Sequence, residues 1–305
     1  MTSLTPTTTS TPDEGDRQLV LGAEPVARTQ WQLFRRRFFR HKLAMFGLFI
    51  LVVLVVCCFG ARWIAPYKNV PDLLADPAGP SGKHLLGVDL VGKDFLTANL
   101  YAGQISLKIG IFVSIISTIV GTATGAVAGY LGKASDQLLM RLTDLFLLLP
   151  PLAVLAIALQ KFGQSEFAIV LVLAGLGWMG IARIVRGLVL SLKEKEFVEA
   201  ARAIGCSRTR IVMRHIVPNL VGPIMVNASL AVAGAIIAES TLSFLGFGIS
   251  PPKSSWGKLL ADGKETIATK AYLIYFPGLF IIITTLAVNF LGDGLRDAFD
   301  PQAKH

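Results

Sequence analysis

Glu239 is the carboxylate most isolated among apolar neighbours in this chain. A charge in so apolar a run is a candidate functional group, because leaving it unpaired in hydrocarbon is costly. It lies within about two turns of the end of its run, so water can reach it, and Ser240 and Thr241 can share its hydrogen bonds. Lining a polar path and sitting at a solvated boundary both remain open, and Asn227 and Asn289 are weaker candidates for the same path. Arg141 and Asp144, three residues apart, can pair on one helical face. A different chemistry is suggested by Gly87-Val88-Asp89-Leu90-Val91-Gly92-Lys93-Asp94, which fits G-x-x-x-x-G-K. A phosphate loop then needs Ser or Thr to hold magnesium, whereas Asp94 places an anion there. The stretch is read as a glycine-punctuated turn, not a nucleotide site. The histidines at 41, 84, 215 and 305 and the cysteines at 57, 58 and 206 show no metal-ligand or disulfide spacing. No catalytic residue, metal or cofactor is expected in this chain.

The elements that must position these residues are set by composition. The chain has 305 residues, 53% of them hydrophobic, and a mean hydropathy of +0.60. Six apolar runs, 43–64, 105–130, 138–160, 167–190, 221–246 and 272–292, are each long enough to cross a hydrocarbon core roughly 30 Å thick as a helix. An all-α polytopic membrane protein with six transmembrane helices is expected. The net charge of +9 does not point to nucleic acid, because the cations cluster beside particular ends of the runs. Seven precede the first run and eight lie between Arg183 and Arg214, which places both regions, and both termini, in the cytoplasm. The first run is too long and too far from the start for a cleaved signal.

Residues 1–29, rich in Thr, Ser, Pro and acid, read as a disordered tail, and 30–42, alternating aromatics with Arg, as a basic juxtamembrane segment. An extracytoplasmic loop follows over 65–104, a core over 105–292, and a cytoplasmic tail over 293–305. Gly121, Gly125 and Gly129, at four-residue spacing, leave one helix face bare for close packing. Pro150-Pro151 should kink the third span at mid-depth.

One polar island, 191–219, interrupts the apolar text. Ser191-Leu192-Lys193-Glu194 has the form of a capping box, so a helix is expected to start there and to stop at Gly205. Along it Phe197, Ala201 and Ile204 form an apolar stripe, with Glu199, Ala200 and Ala201 as a smooth docking patch. Ser207 can cap a second short helix carrying Arg208, Arg210 and Arg214, which Pro218-Asn219 ends.

The spacing of Glu199-Ala200-Ala201, Gly205 and Pro218 resembles the EAA loop of ABC importer permeases, EAA-x3-G-x9-I-x-L-P. His215 and Val217 depart from it, although Arg214-His215-Ile216-Val217-Pro218-Asn219 is similar to the peptide-permease branch. So are His84-Leu85-Leu86-Gly87-Val88-Asp89, Leu242-Ser243-Phe244-Leu245-Gly246-Phe247-Gly248 with Ser255-Trp256-Gly257, and Leu291-Gly292-Asp293-Gly294-Leu295-Arg296-Asp297. Together they resemble the second permease subunit of dipeptide and oligopeptide importers, over the chain from about Gln30 onward.

The resemblance implies a type I importer permease fold with a cytoplasmic coupling-helix pair, in a prokaryotic inner membrane. It implies a homologous permease partner, two cytoplasmic ABC ATPases that bind ATP and Mg, and an external substrate-binding protein. Glu199, Ala200, Ala201 and Gly205, with Phe197, Arg202 and Pro218, would form the ATPase contact. Relatives of this architecture carry nickel, haem or glutathione as well as peptides. A proton-coupled secondary transporter would need charges deeper in the bilayer. A membrane-embedded enzyme would need a His-x-x-x-His, Gly-x-Ser-x-Gly or paired-Asp motif in a span, and the sequence has none.

Overall fold

The computed structural model of the chain describes residues 30–72 and 75–299; the expected disordered tail lies outside them. Those residues form helices and turns, with one isolated antiparallel bridge between Val88 and Asp94. Each long apolar run becomes a helix because only there does the backbone satisfy its own hydrogen bonds in lipid.

Helix α1 spans Gln30–Arg40 and α2 Lys42–Phe59, with one further turn over Ala61–Ile64. Next come α3 (Phe95–Leu131), α4 (Lys133–Leu147), α5 (Pro151–Phe162) and α6 (Glu166–Leu192). The polar island folds as α7 (Glu196–Ala203) and α8 (Arg208–Ile211), and α9 (Val221–Phe244), α10 (Trp256–Gly263) and α11 (Tyr272–Phe299) complete the order.

Five helical rods are long and apolar enough to cross a membrane: α2, α3, α6, Arg208–Phe244 and α11. Taken together as one broken span, α4 and α5, which meet at 87°, pass the same test and bring the number to six. Pro150-Pro151 therefore breaks this span where a kink was expected. Pro151 starts α5 without an N–H to donate backward, and Pro150, preceding a proline, is held extended at ψ 111.

The chain enters its second crossing ten residues earlier than the apolar run indicates. Asp94 caps α3, its Oδ2 accepting from the Thr97 backbone N–H at 2.9 Å and the Thr97 hydroxyl at 2.8 Å. His84 Nδ1 lies 2.9 Å from the other carboxylate oxygen. Asp89 accepts the N–H groups of Val91 and Lys93, and Gly92 takes φ +78. Burial still pushes the Asp89 carboxyl above its ordinary range, against those donors and the nearby Lys93 cation. The phosphate-loop look-alike is thus a turn that ends in a helix cap. At the opposite end α11 continues to Phe299, so residues 293–299 are helical. Phe34 of α1 meets Phe299 at a centroid distance of 4.4 Å, and His41 Nε2 lies 3.2 Å from Asp297.

The closest packing joins α3 to α6. A Cβ placed on Gly121, Gly125 or Gly129 would lie 2.7, 2.4 and 2.9 Å from the carbonyl oxygens of Trp178, Ala182 and Arg186. The three glycines let two backbones touch where side chains would hold them apart. Ile109, Val113, Leu159, Ile169, Leu173 and Leu242 fill the core beside this seam. Gly125→Ala should lower the thermal midpoint of the purified protein, with an overpacking cost of ~1–3 kcal/mol. Gly187→Ala, where the added methyl has nothing within 4 Å, should leave it unchanged.

Candidate functional site: a helix corner and the polar groups behind it

Helix α6 runs through Ser191 to Leu192, so the expected capping box does not form. The chain turns at Lys193 to Lys195, and α7 starts without a side-chain cap. Its end is better defined. Gly205, at φ +79, donates its N–H to the Arg202 carbonyl at 3.1 Å, and Cys206 donates to Ala201 at 3.0 Å. These paired bonds are a Schellman closure, which demands a left-handed residue and so favours glycine. Two residues later Ser207 caps α8, its hydroxyl accepting from the Arg210 N–H.

Pro218 does not end this second helix. A π-helical turn over Val212–Ile216 and a 3-10 turn over Val217–Leu220 carry the helix past the proline into α9, making one rod over Arg208–Phe244. A widened turn accommodates the ring and its missing N–H. The Asn219 side-chain amide donates to the His215 carbonyl at 2.6 Å across this irregular stretch.

The two faces of α7 are divided differently from the expected stripe. Val198 and Ala201 are buried against Ile211, Ile216 and Leu220 of the following rod and Val185 and Val189 of α6. Ala201 therefore belongs to the inner face and is not available for docking. Phe197 is 41% exposed and Ile204 80% exposed, and Glu199, Ala200 and Arg202 share the open surface with them. Exposed apolar groups on a helix already seated by its other face leave a surface suited to a second partner.

At the other end of α9, Glu239 is 1% exposed, with no water-facing side. Its carboxylate accepts the Ser243 and Ser255 hydroxyls at 2.6 Å each and the Ser106 hydroxyl at 3.5 Å. Of the residues expected to share its bonds, Thr241 donates instead to the Ile237 carbonyl. Ser106 belongs to α3 and Ser255 caps α10, so one carboxylate ties three elements. Trp256 extends the tie, donating its backbone N–H to Ser106 Oγ at 3.1 Å and its indole N–H to the Asn99 carbonyl at 3.0 Å. Among path candidates, Asn227 is half-buried and bonded to the Pro223 carbonyl at 2.8 Å, and Asn289 is half-buried on α11.

Asp144 pairs with Arg183 of α6 at 2.5 Å, not with Arg141 of its own helix, and Asp136 pairs with Arg186. Near α10, a cavity of about 740 Å³ is lined by charged groups that include Asp89, Lys93, Lys108, Glu166 and Lys253. Lys108 stands over the Phe59 ring at 5.9 Å, and Lys253 pairs with Glu166 at 3.0 Å.

This arrangement of a packed helical bundle with a cornered helix at one end is the fold of an ABC importer permease. A chain of the MetNI methionine ABC transporter, solved in inward-facing conformations, superposes with a TM-score of 0.52 at 15% identity, over 65% of this chain and 94% of that one. Residues 121–305 match the family described as binding-protein-dependent transport system inner membrane component, and 29–79 the N-terminal TM domain of oligopeptide transport permease C. The oligopeptide transport system permease protein OppC of Haemophilus influenzae is 42% identical, over 90% of this chain and 89% of its own length. The dipeptide permease DppC of Bacillus subtilis is 40% identical over 88% and 85%, and the glutathione permease GsiD of Escherichia coli O157:H7 is 38% identical over 94% and 97%. The chain belongs to the inner-membrane permease family of binding-protein-dependent transporters, in its OppC-like branch.

Glu239→Ala strands buried hydroxyls and opens a void, and should cost about 1–3 kcal/mol, read as a lower thermal midpoint of the purified protein. Glu239→Gln, which keeps two acceptor lone pairs and the side-chain volume, should fall by less than half as much.

Proposed function

We propose that this chain is one of two permease subunits of an ATP-driven importer of di- and oligopeptides, and that α7 with its Gly205 corner receives the motion of the ATPases. The carrying observation is the division of α7: Val198 and Ala201 are locked onto the rod that becomes α9, while Phe197, Glu199, Ala200, Arg202 and Ile204 stand open. A force applied to the open face passes to α6 through 193–195 and to α9 through the continuous rod. The element then acts as a short lever on two membrane crossings at once.

The cations of α1, α7 and α8 assign this end to the cytoplasm by the positive-inside rule, and the 65–94 and 247–271 loops to the outside. A homologous permease would complete the path, two ATPases would bind ATP and Mg, and an external binding protein would deliver the cargo. The peptide assignment rests on the named relatives, two of which are peptide permeases at 40% identity or more. No nucleotide step is assigned to this chain, since its one G-x-x-x-x-G-K stretch is occupied with capping α3.

Glu199→Lys reverses a charge on the open face, and Gly205→Val strains the left-handed corner by roughly 1–2 kcal/mol. Both variants should insert normally yet lose most of the peptide-stimulated ATP hydrolysis and uptake of the assembled transporter. Wild-type rates in both would refute the coupling role, and uptake that survives ATP depletion under a maintained proton gradient would refute the ATP-driven reading.

A further inference from the structure

Two ion pairs join α4 to α6, and the one farther from the helix end, Asp144–Arg183, is the more open. Its side chains are 46% and 51% exposed, against 18% and 34% for Asp136 and Arg186. The depth of this open pair matters. Helix α6 has 27 residues and is ~40 Å long, and Arg183 stands nine residues, or ~14 Å, before its end at Leu192. A ~30 Å hydrocarbon core centred on such a helix leaves ~5 Å at each end, so the pair sits several ångströms inside the core boundary.

Charged groups at that depth face protein or water, not lipid, and Asp144 has too short a side chain to reach the head groups. The surface around Arg183 is also unobstructed. Gly180 and Gly187, three residues before it and four after, lie on the same side of α6, and a Cβ on either would have nothing within 4 Å. An open ion pair flanked by bare backbone can be approached closely by a solute.

We propose that the Asp144–Arg183 pair lines the water-filled substrate path and exchanges its partners with the charges of a passing zwitterion, Asp144 taking an ammonium group and Arg183 a carboxylate. Half-exposed pairs are held weakly, so the exchange trades one solvated contact for two similar ones. The choice of a peptide's termini as those charges rests on the import function proposed above. The path-lining role does not.

The test uses the assembled transporter in inside-out vesicles, with Cys57, Cys58 and Cys206 replaced by alanine. Arg183→Cys is treated with impermeant methanethiosulfonates carrying either a trimethylammonium or a sulfonate. Relative to their rates with a free thiol in solution, the freed Asp144 should make the cationic reagent react about ten times faster than the anionic one, and adding Asp144→Asn should reduce that normalised preference to about twofold or less. Ile119→Cys, on an exposed apolar face of α3, should remain unlabelled. If Arg183→Cys does not assemble, Gly187→Cys reports the same face with the ion pair intact. Labelling at 183 or 187 no faster than at 119 would overturn the path-lining role. Trialanine and its binding protein enclosed in the lumen should slow labelling at 183 severalfold during ATP turnover; unchanged labelling despite measured release of trialanine into the medium would overturn the exchange. Absence of trialanine release by the wild type would defeat the peptide assignment alone, because the reagent preference still decides whether the pair faces water.

Discussion

The backbone contact between α3 and α6 is the constraint on which the rest of this fold depends. Within lipid, apolar side chains gain little by leaving the solvent for one another, so close packing and polar contacts must hold helices together. Gly121, Gly125 and Gly129 supply the packing, meeting the carbonyls of Trp178, Ala182 and Arg186 directly. Every element with a functional reading is referred to this seam. Arg183 and Arg186 project from α6 to gather in α4, Val185 and Val189 form the floor under α7, and Ser106 of α3 takes part in the Glu239 tie.

The two ends of the bundle are fastened by different physics. At the end with 65–94 and α10, buried polar groups do the work, because Glu239, Ser106 and Ser255 satisfy one another and the Trp256 indole satisfies the Asn99 carbonyl in a place water does not reach. At the basic end the fastening is apolar and one-sided. Val198 and Ala201 seat α7, and its other face keeps Phe197 and Ile204 in the open. A rigid polar clamp at one end and a seated lever at the other suit a bundle that must tilt without coming apart. The break between α4 and α5 is where the bundle departs most from straight crossings.

The capping box over 191–194 is local in sequence yet does not form, because α6 runs through it. The Gly205 corner, the Ser207 cap and the turn before α3 also depend on a few neighbouring residues, and these were legible in the sequence. Features that depend on distant residues were not. Asp144 could be matched with Arg141 by helical spacing, but its actual partner is 39 residues away on α6. Ser106 and Glu239 are separated by 133 positions, so a carboxylate that looks solvated in one dimension is sealed in three. The α7 stripe failed for another reason: spacing shows that Phe197, Ala201 and Ile204 lie near one another, but not which neighbouring rod is closer. Ile211 and Ile216 claim Val198 and Ala201 instead. Pro218 misled because a π turn can carry a helix past a proline.

On this mechanism α7 and the rod Arg208–Phe244 move as one body when the ATPases close. Spin labels at Ala203 and Ile237, both exposed, report this by dipolar spectroscopy in the assembled transporter, with and without trapped ATP. A rigid corner gives one narrow distance that stays the same in both states of an actively hydrolysing preparation. A distribution that shifts by several ångströms, or splits in two on ATP binding, would show the corner flexing and would contradict it.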